Sequence, residues 1–135
     1  GHPGDSGVSI EIVKEFYDKV PILGVCLGHQ IIGLVFGSKI TNASDIYHGK
    51  TSKIYHNTLE IFNGINSPFN ATRYHSLVVD RNSLSKELSI IAETKEGEIM
   101  GVKHKEYPVY GVQFHPESIL TGVGMQIIRN FLSIE

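Results

Sequence analysis

The sequence predicts an α/β domain with a largely parallel sheet and an antiparallel extension. Two short apolar runs, "ILGV" at 22–25 and "VYGVQF" at 109–114, carry almost no polar residue and read as strands buried on both faces. Apolar residues at helical spacing occupy both ends of the chain and the stretch directly after the first of those runs. The middle of the chain offers only short strand-like pieces. The resulting order is helix, strand, helix, several strands, helix, which fits one layered α/β unit spanning residues 1–135.

Each element has a local reason. Asp5 or Ser6 is placed to cap a helix running to about Lys19, with Val8, Ile12, Val13 and Phe16 at helical spacing and Glu11, Lys14 and Glu15 on the other side. Pro21 stops that helix, and the strand 22–25 follows. "LGHQIIGLVFG" predicts a helix closed by Gly37. Residues 39–57 and 59–62 suit short strands, and "ATRYHSLVVD" at 71–80 reads as a strand meeting a loop. "LSIIAETKEGEIMGVKH" predicts a hairpin whose turn takes a positive φ at Gly97. After the strand 109–114, "TGVGMQIIRNFLSIE" predicts a closing helix with Met125, Ile128, Phe131 and Leu132 as its inward stripe. No repeat, linker or low-complexity run interrupts this order.

Composition narrows the function classes. With 135 residues and 41% hydrophobic content, the chain suffices for one core and not for two. A net charge of −2 with interspersed signs supplies no basic field for nucleic acid. No segment reaches the roughly 18 apolar residues of a membrane helix, and "GHPGDSG" at the start has no apolar signal-peptide core. A lone cysteine cannot form an internal disulfide, which suits a reducing compartment and makes the cytoplasm the expected location.

That cysteine, Cys26, sits in "GVCLG", between a buried strand and a helix start. The pattern is the G-x-S-x-G elbow of hydrolases with Cys in place of Ser. Glycines two residues to either side, Gly24 and Gly28, permit a sharp turn and a close neighbour. At a helix N-terminus the free N–H groups favour an anion, so the thiol pKa is expected to fall, and the N–H of Leu27 points where an oxyanion forms. Gln30 lies about one helical turn on, on the same face, with an amide to offer a substrate. His29 points about 100° away from Gln30 and reads as packing or surface, not as the base. The bland alternative for Cys26 is a small buried hydrophobe.

A thiol nucleophile needs a base and the base an orienting partner. Of seven histidines, His115 follows a buried strand, in "VYGVQF", and has an acid two positions on, in "FHPES". In extended chain i and i+2 share a side, and Pro116 keeps His115 out of a helix. Glu117 then reaches back to one ring nitrogen and leaves the other for the thiol. Sites in open α/β sheets gather at the carboxyl ends of strands, which puts Cys26 and His115 on one rim. A zinc site from Cys26, His75 and His115 lacks any closely spaced ligand pair.

"PILGVCLGHQ", "ATRYHSLVVD" and "YGVQFHPES", in this order and spacing, closely resemble the class I (triad) glutamine amidotransferase family over essentially the whole chain. The resemblance implies a three-layer flavodoxin-like fold whose first strands are missing from these residues. It implies a Cys26–His115–Glu117 triad, glutamine-binding residues at Gly1, Gln30, Ser76 and Leu77, and oxyanion donors in the N–H groups of Leu27 and Gly1. "RYHSLVV" resembles the chorismate-linked members more than those of guanylate or carbamoyl-phosphate synthesis. The implied substrate is L-glutamine. The implied partner is a chorismate-using synthase subunit of the anthranilate synthase component I type, in a hetero-oligomer, with "YHGK" at 47–50 near its surface. Chorismate and Mg2+ are expected only in that partner, with no cofactor in this chain. Anthranilate for tryptophan is the main expectation and para-aminobenzoate for folate the alternative. Two further readings stay open: another γ-glutamyl thiol hydrolase on the same elbow, and an inactive truncated scaffold.

Overall fold

A strand with no polar face must be covered on both sides, and the strands at the centre of this domain are. The computed structural model describes residues 7–43, 50–74, 77–119 and 122–134. Its elements are α1 (Gly7–Phe16), β1 (Ile22–Val25), α2 (Leu27–Val35), β2 (Ile40–Asn42), β3 (Lys50–His56), β4 (Phe69–Arg73), β5 (Leu77–Val79), β6 (Leu88–Glu93), β7 (Ile99–His104), β8 (Val109–Val112) and α3 (Val123–Leu132). Six strands form one sheet in the order β1-β8-β7-β6-β3-β4, and β2 pairs with β5 in a separate ribbon. β1 and β8 run parallel, with Val25 opposite Val112. The antiparallel extension supplies the other pairings among the described residues.

Side-chain alternation sorts the core into two halves across the sheet. On one face Val109 and Val102 join Val13 of α1 and Ile31 and Ile32 of α2. On the other, Tyr110, Val112 and Met100 join Phe62, Phe69, Phe114 and Ile127 of α3. All four residues of β8 are buried. Burying Val109 and Val112 contributes roughly 1.5–3 kcal/mol of transfer free energy each. The architecture is thus α/β in three layers, as the sequence predicts, but the expected largely parallel sheet is corrected to a mixed one: among the described residues only β1 and β8 pair in parallel and every other pairing is antiparallel. No helix among the described residues is long and apolar enough to cross a membrane.

Several local expectations hold: the strand 22–25, the Gly97 turn at φ 90°, and the close of α2 with Gly37 at φ 98°. Others are corrected. α1 ends at Phe16, and Val13 is its one buried side chain, while Val8, Ile12 and Phe16 are exposed. The helix turns its Ile10–Val13–Tyr17 face to the core instead. Among the described residues β1 is the end strand of the six-stranded sheet and only partly buried, with Gly24 its one buried residue. Residues 59–62 form a 3-10 turn, because Asn57 Oδ1 accepts from Leu59 N–H at 3.0 Å and Thr58 and Glu60 take φ of 60° and 54°. α3 packs Gly124, Ile127 and Phe131 inward, leaving Met125 and Leu132 exposed. Gly124 sets that rotation: a Cβ there would stand 1.8 Å from the Pro116 carbonyl oxygen, so only glycine lets the helix sit so close. The Asp5/Ser6 cap lies outside the described residues.

Candidate active site

The elbow begins with a close approach. A Cβ on Gly24 would meet the backbone of Gly28 at 2.6 Å, so β1 and the first turn of α2 touch backbone to backbone. Gly28 itself has open space around its Cα, so the steric demand falls on Gly24 alone. Between them Cys26 is the N-cap of α2 at φ 54°, ψ −101°. That region is disfavoured for any residue with a Cβ and costs on the order of 1–3 kcal/mol. Its cause is visible in the backbone: Cys26 N–H donates to Val112 O at 2.8 Å, continuing the β1–β8 ladder, while Cys26 C=O already accepts from Gln30 N–H in the helix at 3.2 Å. One residue must serve strand and helix together, and the sharp turn aims its side chain out of both.

Three residues after Val112 comes His115. Its Nδ1 lies 2.7 Å from Glu117 Oε1, so the ring donates from Nδ1 and leaves Nε2 free to accept. A 3-10 turn over Pro116–Ser118 holds the pair in reach, closed by Ser118 N–H to His115 O at 3.0 Å. Pro116 is buried beneath α3, whereas the His115 and Glu117 side chains are 38% and 59% exposed. β1 and β8 are neighbours in parallel register, so Cys26 and the His115–Glu117 pair emerge from the carboxyl ends of adjacent strands.

The electrostatics follow from this placement. Burial pushes the Cys26 thiol above its ordinary value, against the pull of the Leu27 N–H and the Gln113 amide, and the Glu117 charge pushes it further up. The expected fall in the thiol pKa is therefore corrected: the helix-start N–H acts as foreseen, but desolvation of a half-buried sulfur outweighs it. For Glu117, burial acts upward, yet the hydrogen bonds from its own backbone N–H and from His115 outweigh it and hold the carboxyl below its ordinary value. A protonated resting thiol needs a base before its sulfur can attack, and the His115–Glu117 pair on the adjacent strand is the candidate for that base.

The other sequence-predicted residues distribute as follows. Leu27 is exposed at the start of α2, and its N–H faces the Cys26 sulfur. Gln30 is buried, and its Nε2 donates to Leu77 O at 3.0 Å and to Gln113 Oε1 at 3.3 Å. Leu77, the first residue of β5, is thereby tied to α2. His29 is fully buried, packed over Gly111 of β8, which confirms packing for it. Gly1, Ser76, His75 and Tyr47–Gly49 of the "YHGK" stretch lie outside the described residues. The segment holding Ser76 follows Arg73, which is 1% exposed and forms an ion pair with Glu98 at 2.8 Å. Among the described residues no group of three or more His, Cys, Asp or Glu side chains could hold a metal ion. The residue that sequence reasoning missed is Gln113, whose Nε2 lies 3.7 Å from Cys26 Sγ. A polar residue inside the otherwise apolar run "VYGVQF" was the available signal.

Known proteins share this arrangement of sequence and fold. The family model for Glutamine amidotransferase class-I matches residues 1–134. The "Bifunctional protein TrpGD" of Thermotoga maritima is 58% identical over the whole of this chain, which spans 23% of that protein. The "Aminodeoxychorismate/anthranilate synthase component 2" of Bacillus subtilis is 50% identical over 96% of the chain and 67% of its own length. Among solved structures, a GMP synthase subunit protein from Thermoplasma acidophilum superposes with a TM-score of 0.83 at 29% identity, covering 93% of this chain and 61% of that one.

Proposed function

The chain belongs to the class I glutamine amidotransferase family, and on that premise we propose that it hydrolyses L-glutamine to glutamate and ammonia, with Cys26, His115 and Glu117 as its triad. The observation that carries the reading is the juxtaposition of a strained Cys26 elbow and a His115–Glu117 pair on adjacent parallel strands. In the reaction, His115 Nε2 takes the thiol proton and the sulfur attacks the side-chain carboxamide carbon of glutamine. The resulting oxyanion is met by the Leu27 N–H and, from outside the described residues, by Gly1; one such donor is worth roughly 3 kcal/mol of barrier. His115 returns the proton to the leaving ammonia, and a γ-glutamyl thioester remains. His115 then draws a proton from water, hydroxide attack releases glutamate, and the thiol is restored. Glu117 holds the ring in the tautomer this needs. Glutamine binding is assigned to Gln30, Ser76 and Leu77 by the family resemblance alone, and this step asks for no cofactor of the chain.

The ammonia passes, on this reading, to a synthase partner of the anthranilate synthase component I type, in the cytoplasm, which aminates chorismate to anthranilate; chorismate and Mg2+ bind there. The relatives' names support that direction. A second reading, amination toward para-aminobenzoate, is favoured by the Bacillus relative, whose name includes both activities. The test is Cys26→Ser in the complex with the partner: glutamine-dependent amination falls by at least about 10³-fold, a nucleophile-sized loss, while amination from free ammonium salt persists. Unchanged glutamine hydrolysis in that variant overturns the triad. Assaying anthranilate and aminodeoxychorismate with each candidate partner separates the two products.

A further inference from the structure

Gln113 is fully buried, yet it lies at the end of β8, one residue beyond the Val112 carbonyl that receives the Cys26 N–H. Its backbone N–H is fixed on Met100 O at 2.9 Å. Its side-chain amide is engaged at both ends: Oε1 accepts from Gln30 Nε2 at 3.3 Å, and Nε2 points at Cys26 Sγ at 3.7 Å. The chain of hydrogen bonds continues from Gln30 to Leu77 O at 3.0 Å.

The direction of this chain is set at its far end. A backbone carbonyl only accepts, so Gln30 presents N–H to Leu77 and from the same nitrogen presents N–H to Gln113. Gln113 must then offer oxygen to Gln30, and its N–H is left facing the sulfur. An N–H donor favours thiolate over thiol. It does so where burial works the other way, so the donor acts at the one atom that needs it.

We propose that Gln113 is a catalytic residue of this site, donating from its side-chain amide to the Cys26 sulfur and stabilising the thiolate form, with its orientation enforced by Gln30 and the Leu77 carbonyl. This rests on Cys26 being the nucleophile. Two consequences follow. Gln30 does double duty, since its Nε2 holds the thiolate donor as well as the start of β5. The strand carrying Leu77 and the sulfur are also mechanically coupled, so displacement of Leu77 reaches the thiolate through two amides.

The test reads the sulfur without using glutamine. Among the described residues, Glu117, from the turn after β8, is the charge that acts on the Cys26 thiol; its titratable neighbour there is His115, and from α2 His29 faces Gly111. The rate of iodoacetamide alkylation of Cys26 is measured against pH in the full chain, wild type and Gln113→Met. Loss of one donor to a charged acceptor moves the midpoint up by about one pH unit and slows alkylation at pH 7 about tenfold. An unmoved midpoint in the folded variant overturns the proposal. Should Gln113→Met fail to fold, the wild-type protein decides: the Gln113 side-chain amide proton shifts in NMR as the thiol titrates, and the shift is absent in Cys26→Ala. A signal indifferent to that titration overturns it too. Alkylation that depends on Gln113 without any glutaminase activity would leave this inference standing and defeat the functional reading; glutaminase activity with an unmoved midpoint does the reverse.

Discussion

The two halves of the candidate site are built by opposite means. The Cys26 half is made of backbone: Gly24 against Gly28, a ladder bond to Val112, a helix bond to Gln30, and a φ of 54° that these together impose. The His115–Glu117 half is made of side chains at the surface, carried on a single 3-10 turn that is backed by Gly124 of α3 against Pro116. On the proposed reading, the nucleophile is thus placed by local chain geometry, and the base by packing from a helix, α3, that the reading gives no functional group. Damage to the two halves should therefore separate experimentally.

The largest separation is expected from Gly124→Ala. The new Cβ would lie 1.8 Å from Pro116 O, so the turn or the helix must shift by about 1 Å or more to restore van der Waals contact. Displacing a catalytic group that far costs about 10²-fold in kcat. Cys26 is coupled to that turn only through the Glu117 charge, so its rate of alkylation changes far less than kcat. A variant with both kcat and alkylation intact would show that α3 does not set the base, and the contrast between the halves would collapse.

Glu117→Gln probes the same half more gently. The carboxylate is 59% exposed and water replaces part of what it supplies, so the expected loss in kcat is far smaller than the roughly 10⁴-fold seen for a buried triad carboxylate. The sign on the other half is opposite. Glu117's charge pushes the Cys26 thiol up, so removing it lowers the alkylation midpoint and speeds alkylation at neutral pH. In the wild type that midpoint lies above the ordinary thiol value, because burial raises it. The Glu117 carboxyl, held low, keeps its contact with His115 above the ordinary carboxylate value, and the contact is lost as pH falls through its lowered value. A midpoint that rises in Glu117→Gln would contradict the placement of the carboxylate beside the sulfur.

Much of this contrast was legible in the sequence, and unevenly so. The elbow at Gly24–Gly28 and the spacing of His115 and Glu117 are local patterns, and local patterns survive into structure because bonded neighbours enforce them. The strand 22–25 and the Gly97 hairpin were legible for the same reason. What escaped depends on distant packing. Val8, Ile12 and Phe16 satisfy helical spacing as well as Ile10, Val13 and Tyr17 do, and only the sheet beneath decides which face is buried. The rotation of α3 hangs on Gly124 meeting Pro116, a contact with no signature in the helix's own periodicity. Gln113 and Gln30 read as isolated polar residues until the fold joins them 83 positions apart.

The subtlest effect concerns the strain at Cys26, and a pair of substitutions isolates it. Both Cys26→Ala and Cys26→Gly remove the sulfur, and with Cys26 as nucleophile neither retains glutaminase activity. They differ in one Cβ. At an ordinary helix boundary glycine is the less stable choice, because the unfolded chain gains freedom. At φ 54°, ψ −101° the order reverses, since alanine keeps the clash and glycine relieves it. We expect Cys26→Gly to be the more stable of the two by about 1 kcal/mol, at the low end of what such a conformation costs. For a domain of this size that is a difference of roughly 3–5 °C in Tm, readable by thermal unfolding of the two proteins side by side. If alanine proved the more stable, the elbow would hold no strain. The thiol's orientation would then have to come from the side-chain contacts around it, which is how the His115 half is made, and the two halves would no longer be opposites.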